Sequence, residues 1–174
     1  MGMAETIFTA TTARDYNAFA ELVRELVGWY RTRYAHDKWF VEAACSHQSL
    51  DAELEALPKS YGPPNGKALL AMSHGQICGC VAYRRLTDDI CEMKRLFVPE
   101  RFQGNGTGRR LCEAIIAAAK DDGFALMRLD TGNLLTEAIG LYRSVGFHPC
   151  AAYNDYPSAL MSYLVFMEMP LSGG

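Results

Sequence analysis

From Tyr16 onward, apolar residues recur at helical spacing: Tyr16, Phe19, Ala20, Val23, Leu26, Val27 and Tyr30. Thr12 and Asp15, just ahead of them, resemble a capping box and place the helix start there. The preceding "ETIFTA" (5–10) reads as a short strand. Between Trp39 and Leu57 the apolar pattern is broken and predicts two short helices, the second capped near Ser49 and carrying Leu50, Leu54 and Leu57. "PKSYGPPNGK", rich in breakers, predicts a loop. "ALLAM" (68–72) and "QICGCVAYRRL" (76–86) flank His74-Gly75 and predict a hairpin of largely buried strands. A further strand runs from about 90 to 98 and stops at Pro99. A helix over 107–121 turns Leu111, Ile115, Ala118 and Ala119 inward and Arg109, Arg110, Glu113 and Lys120 outward. "FALMRLDT" (124–131) is a strand, "TEAIGLYRSV" (136–145) a helix closed by Gly146, and "FHPC" and "SYLVFMEM" supply the last strands. Hairpins come first and strands alternate with helices afterwards. That order predicts an α/β chain with a mixed sheet and helices on both faces.

Composition narrows the function classes. At 174 residues, 49% hydrophobic and 21% charged, the chain fits one ordinary globular domain over 1–174. A formal charge of -3 argues against a nucleic-acid partner, which needs a basic face. No apolar run reaches membrane-spanning length and no secretory leader pattern opens the chain, so a cytoplasmic protein without a membrane partner is expected. Six cysteines (Cys45, Cys78, Cys80, Cys91, Cys112 and Cys150) show neither CxxC pairing nor zinc spacing and read as free thiols. "CGC" (78–80) reads as small strand residues that permit close packing. The four histidines are scattered, so no metal is expected.

"RFQGNGTGRRL" (101–111) places Gly104, Gly106 and Gly108 directly ahead of the amphipathic helix. Two readings stand. A helix start offers free amide N–H groups and a positive dipole end, and small residues let an anion rest on the backbone. Alternatively, the glycines serve a turn that needs positive φ. No Gly-Lys-Ser/Thr follows, which removes a nucleotide-triphosphate loop. The spacing GxGxG and the intervening Pro99–Phe102 fit a dinucleotide fold poorly.

Written as Gln-x-x-Gly-x-Gly, Gln103 to Gly108 resembles the signature of the GNAT acetyltransferases, and "EMKRLFVPERFQGNGTGRRL" with "TEAIGLYRSVGF" is similar to that superfamily over nearly the whole chain. The resemblance implies a GNAT-like, mostly antiparallel twisted sheet of six to seven strands. It also implies that Gln103, Gly104, Asn105, Gly106, Thr107, Gly108 and Arg109 wrap the pyrophosphate of acetyl-CoA, while Leu96, Phe97 and Val98 run beside its pantetheine arm. Transfer to an amine needs a neutral nucleophile, and the resemblance places Glu92 beside the thioester as general base, direct or through water. The competing reading of Glu92 is a charge that points outward and pairs with Lys94 on the same strand face. Tyr142, in "LYRSVGF", is implied as the acid that reprotonates the leaving thiolate, with a buried core tyrosine as the alternative. The Val98 N–H, at an expected bulge, is implied as oxyanion donor. Two departures stand out: Asn105 replaces a basic residue common in relatives, with Arg109 and Arg110 as compensation, and Leu135 replaces an asparagine ahead of the helix, Asn133 being two positions out of register.

Acceptor choice is expected from the unshared parts. Tyr153, Asn154 and Asp155 are the candidate substrate residues, with the Asp155 carboxylate for an ammonium and rings beside it, or else they form a polar hairpin loop. The expected activity is acetyl-CoA-dependent N-acetylation of a small or amino-acid-like amine. A protein or peptide acetyltransferase and a CoA-binding sensor without turnover remain open. The apolar strand "YLVFMEM" is a candidate for pairing in a homodimer.

Overall fold

Thr12 starts the first helix as the capping pattern predicts. Its hydroxyl accepts from the Asp15 N–H at 3.2 Å, and the Asp15 carboxylate accepts from the Thr12 N–H at 2.9 Å. In the computed structural model, which describes residues 5–171, strand β1 (Thr6–Thr9) precedes this helix, α1 (Ala13–Arg33). The broken pattern that follows forms three short helices rather than two: α2 (Lys38–His47), α3 (Leu50–Glu55) and α4 (Leu57–Tyr61). Ser49 precedes α3 with a left-handed φ of 53° and makes no side-chain cap, so that capping expectation is corrected. The loop expected from Pro58 starts only at Gly62, because Pro58 occupies the first turn of α4, where its missing N–H costs nothing.

Strands β2 (Gly66–Ser73) and β3 (Gln76–Arg85) form the expected hairpin, with His74 (φ 50°) and Gly75 (φ 76°) both left-handed as a two-residue turn requires. The chain continues through β4 (Ile90–Phe97), a short 3₁₀ turn at Glu100–Phe102, α5 (Thr107–Asp121), β5 (Leu126–Gly132) and α6 (Thr136–Val145). The two-residue β6 (His148–Pro149), α7 (Ser158–Met161) and β7 (Leu164–Pro170) complete it. The seven strands lie in the order β1-β2-β3-β4-β5-β7-β6, all neighbours antiparallel except β4 and β5. Strand β7 pairs along its whole length with β5 on one side, while on the other β6 covers only Met167 and Glu168.

Alternation along β2 builds a core on each face. Leu69 and Ala71 pack with Leu111, Ile115 and Ile139 of α5 and α6, whereas Ala68 and Leu70 pack with Phe19, Val23 and Leu26 of α1. The six cysteines are free thiols. At Gly79, between Cys78 and Cys80, α5 lies close against β3, since a Cβ there would lie 2.8 Å from Leu111 Cδ1 and 3.1 Å from the Phe97 carbonyl oxygen. Substituting Gly79→Val must push α5 off the sheet. The expected cost is about 1–3 kcal/mol, read as a melting temperature lower by several degrees; an unchanged melt would refute the tight contact.

Candidate active site

Strands β4 and β5 pair over only three positions, Ile90, Cys91 and Glu92 against Leu126, Met127 and Arg128. Beyond Glu92 they part, and the facing edges of Met93–Phe97 and Leu129–Gly132 border a gap. A bulge enlarges it: Cys80 pairs with Phe97 and Ala82 with Lys94, so Arg95 and Leu96 together oppose one residue of β3. Arg95 takes a left-handed φ of 61°, a costly conformation for arginine. Glu53 of α3 holds it there through two hydrogen bonds of 2.9 Å, and the Gln48 side-chain oxygen accepts a third at 3.0 Å. The extra residue moves Phe97 onto the face of Glu92 and Lys94, away from the face of Cys91 and Met93.

Two cavities meet in the gap. The larger, about 490 Å³, is a cleft bordered by Leu96 and Phe97 of β4, by Val98 just after it, by the glycine loop and by α6. The smaller, about 90 Å³, is a chamber between α1, α2, β4 and β5. Tyr30, Leu96, Thr131, Leu135 and Tyr142 border both.

At the cleft end, α5 begins at Thr107, and its first intrahelical amide bond runs from the Arg110 N–H to the Gly106 carbonyl at 3.1 Å. Among the described residues, the N–H groups of residues 104–109 and of Val98 donate to no protein acceptor. Gly104 (φ 89°) and Gly106 (φ 77°) adopt the left-handed backbone that turns these amides outward, so the turn reading of the glycines and the anion reading describe the same geometry. Gly108 is helical and needs neither. The Gln103 side chain donates to the Val98 carbonyl at 2.8 Å and ties the loop to β4. Arg109 reaches Ser144 at 2.6 Å and Arg110 pairs with Glu5 at 2.8 Å, so neither guanidinium replaces the missing base at Asn105 and the border of the cleft contains neither. Asn133 donates to the Ser162 carbonyl at 3.2 Å, a structural tie rather than a cofactor contact.

Tyr142 stands on α6 at the junction, 8% exposed, and its hydroxyl has no protein hydrogen bond among the described residues. Burial pushes its pKa well above the ordinary phenol value, which keeps the proton on. Tyr30, raised to about 12 by burial, presents a second such hydroxyl there.

Behind and along the chamber runs a ring of polar side chains. Lys94 donates to Gln48 at 3.4 Å, Gln48 to Tyr156 at 3.0 Å, and Tyr156 to Asp130 Oδ2 at 3.0 Å. The Asn154 amide donates both to Asp130 Oδ2 at 2.8 Å and to Glu92 Oε2 at 3.0 Å, and Glu92 Oε1 lies 3.7 Å from Lys94. Glu92 is fully buried and also accepts from Arg84 at 2.8 Å and from Tyr153 at 2.8 Å. Burial alone would raise its pKa, but the charges of Lys94 and Arg84, with the Tyr153 and Asn154 donors, outweigh burial and hold the carboxyl below its ordinary value. For Lys94, burial first and the Arg95 charge second lower the pKa, opposed by Glu92 and Asp130.

A model of the acetyltransferase (GNAT) family matches residues 29–147 of this sequence. The chain belongs to that family. An uncharacterized N-acetyltransferase of Schizosaccharomyces pombe is 34% identical over 161 residues, covering 91% of this chain and 90% of the relative. An IAA acetyltransferase of Azospirillum brasilense is 33% identical over 165 residues, covering 92% and 97%. Among solved structures, the PaiA N-acetyltransferase of Thermoplasma acidophilum in complex with coenzyme A shares the fold, with a TM-score of 0.72 at 18% identity over 97% of this chain and 99% of that one. This GNAT protein is therefore an acyltransferase of the acetyl-CoA-dependent kind.

In this GNAT chain the sequence expectations separate into two groups. Leu96 to Val98, Gln103, Gly104, Gly106, Thr107, Gly108 and Tyr142 border the cleft, whereas Asn105 and Arg109 do not. Glu92 does pair with Lys94, yet inward, and four close donors occupy both its oxygens, so neither faces the chamber. The bulge falls at Arg95–Leu96 instead of at Val98. Tyr153 and Asn154 support Glu92 from behind, and Asp155 is exposed, so the carboxylate on the chamber border is Asp130. Sequence reasoning missed Lys94, Asp130, Gln48 and Tyr30; the alternation in "EMK" gave the shared face of Glu92 and Lys94, but not its direction.

Glu92 and Glu53 both hold pKa values below 4.5. Their stabilisation is complete above the unfolded value and is lost as pH falls through the lower, folded values. Glu92→Gln leaves Arg84 and Lys94 unpaired and is expected to cost about 3–5 kcal/mol at pH 7. That deficit should shrink steadily below about pH 4.5, as urea unfolding across pH 7 to 3 would show; a pH-independent deficit contradicts the charge assignment.

Proposed function

We propose that this protein acetylates the amine of a small acceptor held in the chamber, with acetyl-CoA lying in the cleft. The observation that carries the reading is the junction at Tyr142: free amides and a long cleft lie on one side, and a small cavity with a charged border on the other. The N–H groups of residues 104–109 fit a diphosphate, and the edge of Leu96–Val98 fits the pantetheine arm. Bound there, acetyl-CoA supplies a thioester carbonyl: a nitrogen–carbon bond forms, the carbon–sulfur bond breaks, one proton leaves the nitrogen and one reaches the sulfur.

Residues of the chain handle those protons. Asp130 takes the base position, because among the described residues its Oδ1 accepts from no protein donor while it borders the chamber. Glu92, surrounded by donors, anchors Asn154 and Arg84 and so positions Asp130 rather than accepting the proton itself. Tyr142 carries its proton at the junction and serves as the acid, and the free Val98 N–H faces negative charge that develops on oxygen. A chamber near 90 Å³ favours a small amine over a peptide, for which an open groove is the better fit.

An acetyl-CoA consumption assay with small amines and with lysine and N-terminal peptides tests this. Small amines should be consumed faster than peptides. Asp130→Asn should lower kcat by about 10²–10⁴-fold, and Tyr142→Phe should lower it with little change in the Km for acetyl-CoA. If folded Asp130→Asn keeps full rate while Glu92→Gln has none, the base is Glu92. CoA binding without consumption on any amine would make the protein a sensor. Gly106→Val, which forces a β-branched residue into left-handed backbone, should weaken CoA binding in calorimetry; unchanged affinity would sink the loop assignment.

A further inference from the structure

Lys94 is 7% exposed, yet it is the poorest-partnered cation of the ring. Its ammonium has three N–H donors and finds one acceptor at 3.4 Å and another charge at 3.7 Å. Charge-assisted hydrogen bonds are normally shorter than either. Both acceptors are taken at closer range: Arg95 holds the same Gln48 oxygen at 3.0 Å, and Arg84 holds the same Glu92 oxygen at 2.8 Å. Arg95, buried nearby, has Glu53 on two bonds of 2.9 Å. Burying an ammonium without close partners is costly, and nothing in the fold repays that cost at Lys94.

Lys94 borders the chamber from β4 while Asp130 borders it from β5, its one engaged oxygen held by the neutral donors Asn154 and Tyr156. One cavity thus carries a cation and a carboxylate, each with spare hydrogen-bonding capacity. Arg95 borders it too, but its guanidinium is held by Glu53 and Gln48; apart from Gln48 and Thr131 the rest is largely apolar and aromatic, with Tyr34, Phe40, Val41 and Leu164. We propose that Lys94 binds a carboxylate of the acceptor, so that the acceptors of this protein are amines bearing a carboxylate beside an apolar or aromatic body. With Arg95 already paired to Glu53, the one underpartnered ammonium, flanked by Glu92 and Asp130, suits one negative charge better than a phosphate dianion. The inference rests on the assignment of the chamber as the acceptor site.

The test titrates the full chain, with and without CoA, with L-phenylalanine and L-leucine, with their primary amides, and with phenethylamine and isoamylamine. The acids should bind at least about tenfold more tightly than the amides, the range of one hydrogen bond to a charged group. Lys94→Gln should abolish that preference, and in acetyl transfer the change should fall on the acceptor's Km and not on kcat. Lys94→Met should unfold at the same temperature as the parent protein or higher, because it removes a poorly paired buried charge. Equal binding of acids and amides, a preference that survives Lys94→Gln, a large fall in melting temperature for Lys94→Met, or binding of neither series would each overturn the proposal. Acids that bind through Lys94 but are never acetylated would support carboxylate recognition while ending the assignment of the chamber as the acceptor site. Failure of CoA to bind would sink the cleft assignment, and the CoA-free titration would still decide the case of Lys94.

Discussion

Two parallel strands that stop pairing after three positions set the main constraint on this fold. Backbone donors and acceptors facing a gap need partners from outside the strands, or the gap closes. Here it stays open because its two sides are anchored elsewhere. Strand β5 pairs along its whole length with β7, and β4 is turned by a bulge whose left-handed Arg95 is clamped by α3. The cleft, the chamber and their junction at Tyr142 all follow from that divergence.

The charges around the gap form a matched set. Arg84, Lys94 and Arg95 face Glu92, Glu53 and Asp130, with β3, β4, β5 and α3 each contributing. Buried ions in such numbers contribute little net stability, since desolvation cancels most of their attraction. What they do fix is geometry. The Asn154 amide has two N–H donors and uses one on each of two carboxylates, a task that neither an aspartate nor an alkyl side chain performs. The loop of residues 154–156 is thereby tied to two separated strands, which keeps Asp130 in place against the chamber.

The glycine loop was legible because positive φ at Gly104 and Gly106 is a local property of the chain, as is the 3.6-residue period that located α1, α5 and α6 within a few residues. The stretch from Trp39 to Tyr61 was less legible, because its three helices depend on tertiary contacts and lack side-chain caps. Strand alternation put Glu92 and Lys94 on one face, but which face is inward depends on where α1 and α2 pack. Asp130 gave no signal at all: within "FALMRLDT" it reads as an ordinary polar strand position, and its meaning comes from residues 24 and 26 positions further on. Asp155 attracted attention because it lies in a polar run, yet its carboxylate is exposed.

This contrast has a physical origin. The cleft end presents free main-chain amides from one contiguous stretch, Val98 to Arg109, so in the proposed role it would work through glycines and a helix start and depend little on most side chains. The chamber end is made of side chains from α1, α2, β4, β5 and the 154–156 loop, held mostly on rigid elements. Recognition of the donor, as proposed, is therefore written locally. Recognition of the acceptor, as proposed, is written in the relative placement of distant residues, where replacing one charge would change the chemistry that the chamber accepts while leaving the grip on the donor as it was.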